Sequence, residues 1–388
     1  MLPESNVSES RLLFKREVVK MMRVDRKHPW RESEAAQRLG VRYPIIQGPF
    51  GGLSSVALAA SVSNSGGLGS FGAAQLSPTQ IKETVAQLRE STDKPFSINL
   101  WVSTYDEAAP STTGARIEAS VLATQHYFAE LNIPTPEAPK FSAPDFNAQV
   151  DALLQARPPV ASFIFGIPPK SVLEACRTSG IVTIGSATTG DEAKAVADAG
   201  MDLVVASGFE AGGHRGSFLS PAEASLTGTF ALIPQVADTV GIPVIAAGGI
   251  ADARGIVAAF ALGADAVQVG TAFLVCEGSG IGPLHRRALL SDAVRSTGLS
   301  RYFSGRLARG IRNRFMNDMD KSALDPLPYP LQRALMRPYT EAATRQERTD
   351  FLPLWAGQAA ALIRHTTVEA LMESLIRETD ELYRNLSL

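Results

Sequence analysis

Eight short apolar runs recur along the chain: PIIQGPF (44–50), GLGSFG (67–72), FSINLWV (96–102), VASFIFG (160–166), IVTIGS (181–186), LVVASG (203–208), PVIAAGG (243–249) and AVQVGTAFL (266–274). Runs that are apolar throughout, rather than alternating, describe strands buried on both faces. Between them SSVALAASVSNSGG, TTGDEAKAVADAG and ADARGIVAAFALGAD carry apolar residues at helical spacing and run into glycine, as helix C-caps do. Strands that alternate with helices pair in parallel. Eight such units predict a closed (β/α)8 TIM barrel rather than an open doubly wound sheet. One interval breaks the rhythm, with about fifty-seven residues between the third and fourth runs, including the proline-rich LNIPTPEAPKFSAPDF. An insertion of that length, about 103–158, predicts a lid, a binding loop or a small subdomain.

The 388 residues exceed the ~250 of one such barrel. The pattern divides them into an N-terminal helical arm (1–39), the barrel (40–275) and a mostly helical second region (276–388). The arm lacks the continuous apolar core of a signal peptide, and Glu4, Glu9, Glu17 and Asp25 argue against an acid-poor transit peptide. No run reaches the ~18 uninterrupted apolar residues of a membrane span, since IVAAFALGADAVQVGTAFLV is broken by Gly263 and Asp265. A net charge of −2 supplies no basic surplus for nucleic acid or an anionic membrane. Two distant cysteines, Cys176 and Cys276, predict neither a disulfide framework nor a metal cluster, and they suit a reducing cytoplasm. Arg301, Arg306, Arg309, Arg312 and Arg314 make a local basic run, read as a solvated or interdomain helix. Tyr329, Tyr339 and Trp355 read as packing residues.

Active sites of these barrels form at the C-terminal ends of the strands. Glycine and polar residues gather there: Gln47–Gly48, Gly72, Asn99, Ser207–Gly208, Gly248–Gly249 and Gly270–Thr271. The last two pairs place backbone N–H groups and a hydroxyl where a barrel commonly binds phosphate. A phosphate grip beside flat glycine-lined approaches predicts a phosphorylated planar cofactor, of which flavin mononucleotide (FMN) is the simplest fit. Gln47 and Asn99 are expected to offer amides to the polar edge of its ring. No GxGxxG follows the first strand, so a Rossmann dinucleotide site is not indicated.

The stretch after the sixth run, SGFEAGGHRGSF (207–218), holds His214 among Gly208, Gly212 and Gly213. Glycines let backbone approach a ligand and present the imidazole at the barrel mouth, where it exchanges a proton or, as imidazolium, attracts an anion. His28, His126, His285 and His365 lie in polar or helical contexts and read as surface or structural residues. Glu210 reads as a cap or as a partner of Arg215.

The segments YPIIQGPFGGLSS, VSNSGGLGSFG, INLWV, GFEAGGHRG, PVIAAGGIADARGI and GADAVQVGTAFL, in this order over roughly residues 40 to 275, resemble the nitronate monooxygenases. The resemblance implies FMN contacts at Gly48, Pro49, Phe50, Asn99, Gly212, Gly249, Gln268, Val269, Gly270 and Thr271. It makes His214 the catalytic histidine. Ser207, Gly213 and Gly248 join the candidate site by position. The implied reaction oxidises an alkyl nitronate with dioxygen to a carbonyl compound and nitrite, and the second region is expected to cover the barrel mouth. Two positions depart from familiar members, with Phe50 in place of methionine and Ser207 in place of glutamine. The FMN-dependent enoyl-acyl-carrier-protein reductases, which use NAD(P)H, resemble the same core and are the alternative; a non-redox barrel binding a phosphorylated ligand is a third reading. Homo-oligomerisation is left open.

Overall fold

The computed structural model describes residues 30–103, 106, 108–136, 139, 144–322 and 324–386, so residues 1–29 of the expected arm and part of the 103–158 insertion lie outside it. Each of the eight runs contains a strand. These are β1 Ile45–Gln47, β2 Gly69–Gly72, β3 Phe96–Trp101, β4 Val160–Ile164, β5 Val182–Ala187 and β6 Leu203–Ser207. After a two-residue strand β7 (Gly213–His214) outside the barrel come β8 Val244–Ala247 and β9 Ala266–Val269. They pair in parallel in the order β1-β9-β8-β6-β5-β4-β3-β2, and a parallel bridge between Ile46 and Leu68 closes the ring. The fold is the TIM barrel that the eight runs predict. Some runs overshoot their strands: AVQVGTAFL stops at Val269, where Gly270 turns the chain into the short helix Thr271–Leu274.

Burial on two faces explains the unbroken apolar runs. In β8, Ile245 and Ala247 pack inside the barrel with Leu203, Val205 and Ile46. Val244 and Ala246 point outward to the helical layer. The helix Glu34–Leu39, capped by Ser33, sends Ala35 and Leu39 into the same interior cluster and plugs the N-terminal end of the barrel. Burying a side chain such as Ile245 contributes ~1.5–3 kcal/mol. The bottom is thus closed by packing, and the top is left for chemistry.

A second core lies beyond the barrel top. Tyr127, Phe128 and Leu131, from the insertion helix Gly114–Glu130 and its C-cap, pack with Phe303, Phe315, Leu335, Tyr339 and Phe351 from the C-terminal region. That region also contains the antiparallel strands β10 (Thr297–Ser300) and β11 (Ala308–Ile311), and β11 pairs in turn with β7. The arginine run is therefore not one helix. It spans a turn, β11 and the start of the helix Arg314–Met319, and most of its residues pair with distant parts of the chain. Arg301 pairs with Glu223, Arg306 with Asp106, Arg312 with Asp320 and Arg314 with Glu130. The last helix, Val368–Leu386, returns to the barrel and buries Val368, Leu371, Met372 and Leu375 against Ile45, Leu58 and Ile256. Among the described residues no helix is long and apolar enough to cross a membrane.

Candidate active site at the barrel mouth

The stretch that carries His214 is anchored along its whole length. Glu210 accepts from the Thr229 backbone N–H at 2.8 Å and from the Thr229 hydroxyl at 2.7 Å, capping the helix Thr229–Thr239. The buried Arg215 donates to the carbonyls of Ser207 (3.0 Å), Gly208 (2.6 Å) and Ser225 (3.0 Å). Glu210 is thus the cap that its sequence context allowed, and Arg215 pins the loop to its own start. Gly213 and His214 then pair with Arg309 and Ala308 of β11. Gly212 meets the C-terminal segment backbone to backbone: a Cβ there would lie 2.5 Å from the Gly357 nitrogen. Only glycine admits that approach.

These anchors set His214 in the wall of a cavity of about 480 Å³ at the C-terminal ends of the strands, within the ~300–1,000 Å³ of small-molecule sites. Aromatic rings of Trp355 (5.4 Å), Trp101 (5.6 Å) and Phe165 (6.5 Å) surround the imidazole. Burial pushes its pKa from 6.5 down to about 3, and the charges of Arg306 and Arg333 act in the same direction. The ring is therefore neutral at pH 7, able to accept a proton but not to attract an anion by charge. Ser304 Oγ lies 2.8 Å from Nε2. Its hydroxyl donates to the Arg306 carbonyl at 3.2 Å. With its one proton directed there, the hydroxyl accepts from Nε2–H and leaves Nδ1 as the basic nitrogen. Arg306 itself is fully engaged, paired with Asp106 at 2.8 Å and enclosed by Phe165 and Tyr329.

Across the mouth, Gly248 (φ 103°) and Gly249 (φ 71°) take left-handed conformations that favour glycine. Among the described residues no protein acceptor takes the N–H of Gly249, Ile250, Gly270 or Thr271, and all four residues line the cavity. The Thr271 hydroxyl accepts from the Gly357 N–H at 2.9 Å, so its own proton remains free to donate. Gly48, Pro49, Phe50, Asn99, Ser207, Gly212, Gly213, Gly248 and Gln268 stand on the same wall. Asn99 is oriented by Ser162, whose hydroxyl accepts from its amide at 3.0 Å.

Of the anticipated residues, Gly72 and Gly208 lie off the wall, and so do Val269 and Gln47. Val269 is fully buried in the outer core and reaches the site only through its carbonyl, which accepts from the Gly48 N–H at 2.9 Å. Gln47 is buried and donates to the Ser70 carbonyl at 2.9 Å, joining β1 to β2. The structure adds Trp101, Ser162, Ser186, Ser304, Arg333 and Trp355 to the wall. Trp101 ends β3 and Ser186 lies near the end of β5, so the strand-end argument extends to them. No local pattern marks Ser304, Arg333 or Trp355. Tyr329 and Tyr339 are buried, as expected of packing residues, and His285 is buried with Nε2 2.9 Å from the Trp355 carbonyl.

The fold is a TIM barrel, and its candidate site is a cavity at the C-terminal mouth lined in part by C-terminal segments such as residues 355–357. The family model for nitronate monooxygenase matches residues 33–378. The chain belongs to the nitronate monooxygenase family. One relative, named a probable nitronate monooxygenase of Staphylococcus aureus (strain JH9), is 38% identical over 354 residues, covering 91% of this chain and 99% of that protein. The crystal structure of nitroalkane oxidase from Streptomyces ansochromogenes superposes with a TM-score of 0.83 at 34% identity, over 91% of this chain and 100% of that one. FabK from Thermotoga maritima superposes with a TM-score of 0.71 at 27% identity, over 92% and 98%.

Proposed function

We propose that the protein oxidises alkyl nitronates with dioxygen on bound FMN, yielding a carbonyl compound and nitrite. Beyond family membership, one observation carries this reading: a neutral imidazole stands in the wall of a cavity that also offers unpaired backbone N–H groups at two glycine turns. The residues fit the cofactor. Gly249, Gly270 and the Thr271 hydroxyl would hold its phosphate, and at Gly270 a Cβ would meet nothing within 4 Å, so space is available beside that backbone. Asn99, Ser162 and Ser207 would face the polar edge of the ring, with Gly48 to Phe50 and Gly212–Gly213 at its faces.

FMN, when bound, would supply the electron acceptor that passes electrons on to dioxygen. The chain does the rest. His214 Nδ1 would take the α-proton of a neutral nitroalkane, and Ser304 would hold the ring in the tautomer that leaves this nitrogen free. Phe303, Met336 and Trp355 from the C-terminal region would exclude water from the reacting carbon.

The test is a purified sample examined for cofactor and turnover. It should be yellow, release about one FMN per chain on denaturation, and consume oxygen with ethylnitronate. A colourless protein, or one that turns over only with NADH and a short enoyl thioester, would overturn the proposal.

A further inference from the structure

Charge is distributed unevenly around the cavity. Among the described residues no aspartate or glutamate lines it, and its ionised side chains are Arg333 and Arg337, one turn apart on the helix Leu331–Arg345. Arg337 points largely to solvent and lies 3.9 Å from Glu341. Arg306 stands behind the wall in its ion pair with Asp106. Among the described residues Arg333 has no carboxylate partner; its contact there is the Tyr329 hydroxyl at 3.3 Å. Among the described residues the cavity thus holds in Arg333 a positive charge without a carboxylate partner, bordered by Phe303, Met336 and Trp355, low-dielectric walls that concentrate its field.

A nitronate carries its negative charge on the two oxygens of one nitrogen, an edge that a planar guanidinium matches as it matches a carboxylate. A nitroalkane with the same carbon skeleton is neutral. We propose that Arg333 is the specificity-determining residue that selects the anionic nitronate over the neutral nitroalkane. This inference rests on the nitronate reading above. It divides the labour: Arg333 draws in the anion, and His214 serves the neutral form that must first lose a proton.

The experiment compares wild type, Arg333→Gln and Arg333→Lys with ethylnitronate and nitroethane at low and high salt. Arg333→Gln should raise KM for ethylnitronate roughly five- to twentyfold with kcat within about twofold, leave KM for nitroethane unchanged, and abolish the salt dependence of kcat/KM for the anion. Arg333→Lys should restore most of the anion preference. Calorimetric titration with nitrate, a planar anion with the same O–N–O edge, gives a readout without turnover, and wild type should bind it more tightly than Arg333→Gln. Equal losses on both substrates, equal nitrate affinities, or loss of flavin from Arg333→Gln would each overturn the assignment. Failure of the nitronate reading shows separately, in unmutated enzyme that oxidises neither substrate, and the nitrate titration still decides the role of Arg333.

Discussion

Lowering the pH from 7 to 5 should cost the protein stability through His214, and His214→Asn should remove that part of the loss. The folded ring stays neutral until about pH 3, whereas an unfolded histidine titrates at the ordinary 6.5. Below 6.5 the unfolded state therefore binds the extra proton, and stability falls as pH falls; above 6.5 both states are neutral and the contribution vanishes. At pH 5 the unfolded ring lies ~1.5 pH units below its pKa, worth about 2 kcal/mol. The half-buried ring borders the cavity, so residual solvation trims the expected difference to about 1–2 kcal/mol. The buried His285, whose pKa is also lowered by burial, acts in the same direction but is present in both proteins and cancels. Urea unfolding of wild type and His214→Asn at both pH values, in the same ligand state, measures the difference of differences. Parallel losses in the two proteins would refute the enclosure of the imidazole.

Substitutions at three further positions probe how the ring is held. Gly212→Ala sets a Cβ 2.5 Å from the Gly357 nitrogen and 2.6 Å from the Ala356 carbonyl carbon, so it should cost ~1–3 kcal/mol and raise proteolysis of the 353–359 segment. Gly213→Ala meets no atom within 4 Å but keeps φ at 76°, so it should cost only the ~1–2 kcal/mol of a left-handed residue and leave proteolysis unchanged; identical behaviour of the two variants in unfolding and proteolysis would contradict the close approach. Ser304→Ala should lower kcat on nitroethane by ~2- to 10-fold, the worth of one hydrogen bond, while Ser304→Thr restores it; a kcat unaffected by Ser304→Ala would leave the hydroxyl without a part in holding the tautomer.

The barrel was legible because its signal is local and redundant. A strand buried on both faces must be apolar at every position, as Val244 to Ala247 are, and eight repeats of that constraint leave few folds to choose from. The β10–β11 pair lacks such a signal. TGLS and ARGI are four residues each without alternation, and they become strands by pairing with one another and, through β11, with Gly213–His214 far along the chain. Gln47 shows the same limit on a smaller scale. Its place at a strand end suggested a ligand amide, but whether the amide turns to the cavity or to Ser70 depends on β2, which the local sequence does not specify.

The candidate site divides along the same line. Residues on barrel loops, from Gly48 to Thr271, were nameable partly because a TIM barrel puts strand ends at its mouth and partly, as with Pro49, Phe50, Gly212 and Gln268, through the family resemblance. The groups that tune them come from the C-terminal region. Ser304 reaches His214 across 90 residues, Gly357 engages Thr271 across 86, and Arg333 stands on the helix Leu331–Arg345 in the second core. An imidazole on a glycine-rich loop alone would titrate near 6.5 and serve as base or cation. Docking the C-terminal region removes the second role, because Trp355 helps bury the ring and Arg333 adds a positive charge close to it. The same contact that lowers the basicity of His214 thus places a permanent cation in the cavity, and the proposed reading gives proton transfer to one residue and anion attraction to the other. The glycines at 212 and 213 serve that docking, one by admitting the backbone of Gly357 and the other by joining the short strand that aligns His214 with Ala308.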